Sequence, residues 1–72
     1  MNEMYERLAN AIILQAVKDY RKALKRLKKH PSKGTALHTK QEVEQFFRSD
    51  WYTSLTAVDP EMLILKLNVE VI

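Results

Sequence analysis

The residues of this 72-residue chain that could do chemistry are few. It has two histidines, nine carboxylates, one glycine and no cysteine. Thiolate chemistry and disulfides are therefore excluded. A metal centre wants three or four ligands in close array. His38 and Glu42 share a face only if a helix begins early, and the plainer reading of His30 and His38 is two surface loop histidines. Two ligands are not a site, so no metal and no cofactor is expected. Glu42 and Glu44 point to different sides of a helix, and Asp59 and Glu61 are accounted for by helix capping. Thr53, Ser54, Thr56 and Ser49 have no nearby histidine to act as base. A single glycine cannot make a phosphate-cradling loop. The sequence gives no catalytic constellation, and a non-enzymatic protein is the expectation.

The strongest feature is electrostatic. Residues 18–33 carry eight cations against Asp19 alone, a local charge of +7 in a chain of net +3. Lys18, Arg21, Lys22, Lys25, Arg26, Lys28 and Lys29 could neutralise several phosphates with salt-dependent, sequence-independent affinity. Arg48 lies near Trp51 and Tyr52, which could stack on bases or contact a protein partner. The plainer reading is a solvated helix face whose cations suit the C-terminal end of the helix dipole. The loop after this helix, about nine residues, is too long for a helix-turn-helix, whose turn takes three or four. For Phe46, Phe47, Trp51 and Tyr20 the plainer reading is a core that needs large side chains. Tyr52 points away from their face and is expected to meet solvent or a partner.

The elements that hold these residues follow from spacing. Residues 3–29 lack Gly and Pro and are rich in helix formers. At about 100° per residue, Ile13, Val17, Tyr20, Leu24 and Leu27 form one stripe and Lys18, Lys22, Lys25 and Lys29 the opposite face. His30-Pro31 ends the helix. Residues 31–38 read as a loop. Thr39-Lys40-Gln41-Glu42 has the form of a capping box and predicts a helix over about 40–56, with Ser49 and Asp50 able to interrupt or restart it. Asp59-Pro60-Glu61 starts another, over about 60–68. The alternation from Leu65 to Val71 is also a strand pattern, which leaves the 65–72 tail open between helix, strand and no fixed structure, a strand needing a second copy as its partner.

The N-terminal half of the first helix is apolar nearly all round. Ala9, Ala11, Ile12, Ile13, Leu14, Ala16 and Val17 want cover on every side. Its 27 residues make a rod of about 40 Å, whereas a compact domain of this size is about 30 Å across. A chain this short also needs a staple, and oligomerisation is the one left. Another copy is therefore expected to pack near Leu8, Ile12, Ile13 and Leu14, most simply as a two-fold dimer. No apolar run reaches the roughly 18 residues of a membrane span, and Met-Asn-Glu-Met-Tyr-Glu is not a signal peptide's start. A cytoplasmic protein without a membrane role is expected.

The segments Gln15-Ala16-Val17-Lys18-Asp19-Tyr20-Arg21-Lys22-Ala23-Leu24 and Glu42-Val43-Glu44-Gln45-Phe46-Phe47-Arg48-Ser49-Asp50-Trp51-Tyr52, with Leu-Thr-x-x-Asp-Pro-Glu at 55–61, carry a resemblance. Over about residues 9–67 the chain resembles small proteins of Firmicutes phages and prophages. The resemblance implies a mobile-element protein in a bacterial host cell and brings no functional residues with it.

The expected molecule is a single all-α domain over 1–72, one long N-terminal helix with two shorter helices folded back on it, acting as an oligomer. Its expected role is an interaction protein of phage type that binds its own copies and a host or phage protein. The alternative is a small nucleic-acid-binding protein using the basic face.

Overall fold

A computed structural model describes residues 3–71. Helix α1 runs Glu3–Lys29, α2 Gly34–Phe47, α3 Asp50–Leu55 and α4 Pro60–Val71, and the described residues contain no strand. Helix α1 forms over 27 residues that hold no Gly or Pro and are rich in helix formers. Glu3 and Glu6 stand in its first turn and Arg26, Lys28 and Lys29 in its last, the charge order that the helix dipole favours. The other helices fold back along its apolar stripe.

The core is the meeting of that stripe with the inner faces of α2, α3 and α4. Val17, Tyr20 and Leu24 pack with Phe47, Tyr52, Ile64 and Leu67, and Ile13, Ala16, Val43, Phe46, Leu63 and Val71 close around them. Tyr20, Phe47 and Tyr52 are fully buried. Their rings meet edge to face: Tyr20–Phe47 centroids are 5.8 Å apart at 69°, and Phe47–Tyr52 5.6 Å at 72°. This arrangement brings positive ring edges to negative faces.

The structure departs from the expected elements in three places. Helix α2 begins at Gly34, inside the expected 31–38 loop, and Thr39 caps nothing; its hydroxyl donates to the Thr35 carbonyl one turn back (3.1 Å). Burial of Ala36 favours the earlier start, which local capping signals do not register. The expected 40–56 helix is two helices. Ser49 leaves the helical region (φ −87°, ψ 161°), and its Oγ accepts from the Tyr52 amide at 3.3 Å while donating to the Phe46 carbonyl at 2.6 Å. Helix α4 extends to Val71, past the expected end at 68, so residues 65–71 are helical and the strand alternative fails there. Ile64, Leu67 and Val71, spaced three and four apart, face the core. Residue 72 lies outside the described residues. Asp59 does cap α4, accepting from the Glu61 amide at 2.9 Å.

The molecule measures 44 × 20 × 18 Å, with a radius of gyration of 13.0 Å. A compact chain of this length would have about 11 Å. The long dimension matches α1, whose residues Glu3–Leu8 are all exposed. No helix among the described residues is long and apolar enough to cross a membrane.

Candidate functional site

Helix α1 turns one continuous face to solvent, and that face changes character along its length. From the middle onward it is cationic. Lys18, Lys22, Lys25, Arg26 and Lys29 are exposed. Lys18, Lys22, Arg26 and Lys29 form no ion pair among the described residues, and the Lys18–Lys29 strip runs about 16 Å. The structure separates Arg21 and Lys28 from this set, because both turn toward α4. Arg21 forms a two-pronged pair with Glu70 (2.7 and 3.1 Å), and Lys28 donates to the Val71 carbonyl at 3.1 Å. These two cations tie the C-terminal helix to the first.

Toward the N-terminus the same face is apolar. Met4 is 78% exposed, Leu8 60% and Leu14 61%. Ala11, between Leu8 and Leu14, is exposed as well. Of the residues expected to meet a second copy, Leu8 and Leu14 are thus open. Ile12 is half-buried. Ile13, at 220° against about 20° for the exposed face on a 100° wheel, turns inward and packs half-buried on the core.

Ile12 lies on the wall of a shallow groove of about 410 Å³. Ala16, Val43, Phe46 and Trp51 line it with apolar surface, while Asp19 and Glu42 lie at the same groove. Trp51 is 57% exposed and stands edge-on to Phe46 at 5.2 Å. Tyr52 corrects the sequence reading: it is fully buried and offers nothing to a partner. The restart at Ser49 re-phases the helix, which turns Tyr52 in and Trp51 out. Arg48 is half-exposed and engaged, gripping Glu61 with Nε and Nη2 at 2.8 and 2.9 Å. That pair fastens the end of α2 to the start of α4.

A polar network that the sequence does not announce joins α1, α2 and α4. The Tyr20 hydroxyl donates to Glu44 Oε2 at 2.6 Å and accepts from Asn68 Nδ2 at 3.0 Å. Lys40 Nζ donates to the same Glu44 oxygen at 2.8 Å, and Asn68 also donates to the Ile64 carbonyl. Burial and the Glu44 bond push the Tyr20 hydroxyl up to about 12. Burial also pushes Glu44 upward, but the bonds from Lys40 and Tyr20 and the charges of Lys40 and Arg48 outweigh it, leaving Glu44 below its ordinary value. Only once the structure fixes the helix phases do Lys40, four residues after buried Ala36, and Asn68, four after buried Ile64, stand on inward faces. Every group in the network has a partner, and its chemistry is that of a fastener.

His38 and Glu42 do pair once α2 starts early, at 2.6 Å on an exposed helix face. No group of three or more His, Cys, Asp or Glu converges among the described residues. No family model matches the chain, and neither a curated protein nor a solved structure matches it.

Proposed function

We propose that this chain is a non-enzymatic interaction protein that works as a small helical homo-oligomer, at its simplest a two-fold dimer. The observation that carries this reading is surplus surface. One chain exposes 5471 Å². A monomer of its 8.5 kDa mass exposes about 4,700 Å² by the usual scaling. The surplus of about 800 Å² is what one partner contributes to a standard interface. It includes the overhanging start of α1, where Met4, Leu8 and Leu14 are exposed. The setting that fits the sequence resemblance is the cytoplasm of a phage-carrying bacterium, with a host or phage protein as a further partner. Exposed Trp51 beside the apolar groove is the surface that supports such a contact.

Sedimentation velocity tests the self-association. Between about 1 and 100 μM the folded protein is expected at twice the 8.5 kDa of one chain. A well-folded single-chain species across that range overturns the reading.

A second reading rests on its own observation, the strip of exposed cations at Lys18, Lys22, Arg26 and Lys29 that form no ion pair among the described residues. Such a strip can follow a nucleic-acid backbone, releasing counterions as it binds. Fluorescence anisotropy with single-stranded and duplex oligonucleotides tests it. Binding should weaken steeply with salt and disappear in the Lys22→Glu, Lys25→Glu, Lys29→Glu triple variant. Absence of binding at low salt removes this reading.

A further inference from the structure

The outward face of α1 repeats with the period of a coiled coil. Met4, Leu8, Ala11, Gln15, Lys18, Lys22, Lys25 and Lys29 are spaced alternately four and three apart, the a and d positions of a heptad. Met4, Leu8, Ala11, Gln15, Lys18, Lys22, Lys25 and Lys29 are all exposed, and their side-chain character changes once, from apolar to cationic, with Gln15 at the border.

We infer that the α1 face of Met4, Leu8, Ala11 and Gln15 is the seam of an antiparallel dimer, its occupant the same face of a second copy. The inference rests on the homo-oligomer reading above and adds its surface and orientation. Charge selects the orientation. A parallel pair would set Lys18, Lys22, Lys25 and Lys29 of both copies against one another, four successive layers of like charge. An antiparallel pair centred between Leu8 and Ala11 overlaps only the apolar halves. Met4 then faces Gln15 of the second copy, two long flexible side chains, and Leu8 faces Ala11, a large residue against a small one. Such a pattern is its own complement under a two-fold axis, as an isologous interface requires. At its margin Glu3 comes within about 3 Å, measured along the axis, of the level of Lys18 in the other copy. Glu3 is exposed and on hand there, sharing its carboxylate with Arg7 at 2.9 Å. The basic strips, from Lys18 onward, then project beyond the seam at opposite ends of the dimer.

The rival apolar surface is the outer side of α4, where Met62, Leu65 and Val69 are exposed. It has no comparable division of charge to fix a direction, and it belongs to a helix already tied to α1 by Arg21 and Lys28.

The chain has no cysteine, so a single Lys29→Cys spin label on the full chain reports the geometry directly. In the antiparallel seam the two labels lie about 58 Å apart along the axis. In a parallel pair they lie roughly 10 Å apart. Double electron–electron resonance on the dimer is expected to give the long distance. A short distance, or a distance distribution with no long component, overturns the seam while leaving the homo-oligomer reading intact. A single-chain species in sedimentation overturns both. As a second measurement, Leu8→Glu is expected to weaken self-association at least about tenfold, with the helical circular dichroism of the monomer unchanged, because an unpaired carboxylate enters the seam. Leu65→Glu is expected to leave association unaffected. The opposite order places the interface on α4 and overturns the inference.

Discussion

The Tyr20 hydroxyl donates to Glu44 Oε2 at 2.6 Å across the α1–α2 contact, from a ring that is fully buried in the core. Asn68 Nδ2 reaches the same hydroxyl from α4 at 3.0 Å. One side chain therefore serves two contacts. Its ring fills the core, and its oxygen registers three helices against each other. In a protein held by so few residues, such a shared bond fixes which helix turn meets which.

Tyr20→Phe keeps the ring and removes the oxygen. Asn68 retains the Ile64 carbonyl and Glu44 retains Lys40, so neither is orphaned. The expected loss is about 1–2 kcal/mol, read from urea unfolding. The same variant changes the alkaline limb. Tyr20 is raised from 10.0 to about 12 in the fold, mainly by burial and then by Glu44. A raised group contributes stability that is present below 10.0 and lost as pH rises through about 12. The parent should lose stability across that window and Tyr20→Phe should lose less. Parallel losses would mean that other tyrosines or lysines govern the alkaline limb.

Glu44 sets the acid limb. Burial alone would raise it, yet Lys40, Tyr20 and Arg48 hold it below the ordinary 4.5. A depressed carboxylate contributes stability that is present above its unfolded value and lost as pH falls through the lower folded value. The protein should therefore destabilise as pH drops below about 4.5. Glu61 and Glu70 are lowered too, by the bonds from Arg48 and Arg21, but both are exposed and their pairs are screened by solvent. Glu44→Gln is expected to be less stable at pH 7 and to show a flatter acid limb in urea midpoints taken from pH 7 to pH 2. An acid limb as steep as the parent's would move the effect to other carboxylates.

The run of α1 is legible in the sequence because residues 3–29 hold no Gly or Pro and are rich in helix formers, and the core positions Val17, Tyr20 and Leu24 follow from the stripe in its C-terminal half. Helix starts that depend on tertiary burial are not legible: Gly34 opens α2 where capping chemistry points to Thr39, and Ala36 gains burial from the change. Trp51 and Tyr52 exchange roles because counting 100° steps onward from Phe47 assumes an unbroken helix, whereas Ser49 steps out of it. The basic face is legible as a face, but its division is not. Only the position of Glu70 and the Val71 carbonyl across α4 sets Arg21 and Lys28 apart from Lys18, Lys22, Lys25 and Lys29.

Ser49 is the hinge of that re-phasing, and its hydroxyl is the N-cap of α3. Ser49→Ala removes both the bond from the Tyr52 amide and the bond to the Phe46 carbonyl. Loss of such a cap costs about 1 kcal/mol. Ser49→Asp should retain most of that, since a carboxylate caps equally well, although it cannot donate to Phe46. Equal stability of parent and Ser49→Ala would mean that ring packing alone sets the break between α2 and α3.

Tyr52 separates burial from hydrogen bonding. Its ring is fully buried between Phe46 and Phe47, with centroids 5.9 and 5.6 Å away. Its hydroxyl is buried without a hydrogen-bond partner among the described residues. Burial, with Asp59 adding its negative charge, pushes that hydroxyl above its ordinary value, as expected where an anion would be poorly tolerated. Removing an unpaired buried hydroxyl returns its desolvation cost while the ring contacts stay. Tyr52→Phe is therefore expected to be neutral or to stabilise by up to about 1 kcal/mol, and Tyr52→Ala to lose about 3–5 kcal/mol through the cavity it leaves. For a domain whose total stability is of the order of 5 kcal/mol, the alanine variant should retain no more than about 2 kcal/mol and unfold at a much lower urea concentration by circular dichroism. A loss above about 1 kcal/mol in Tyr52→Phe would show that the hydroxyl is bonded in solution, and an Ala variant as stable as the parent would remove Tyr52 from the core.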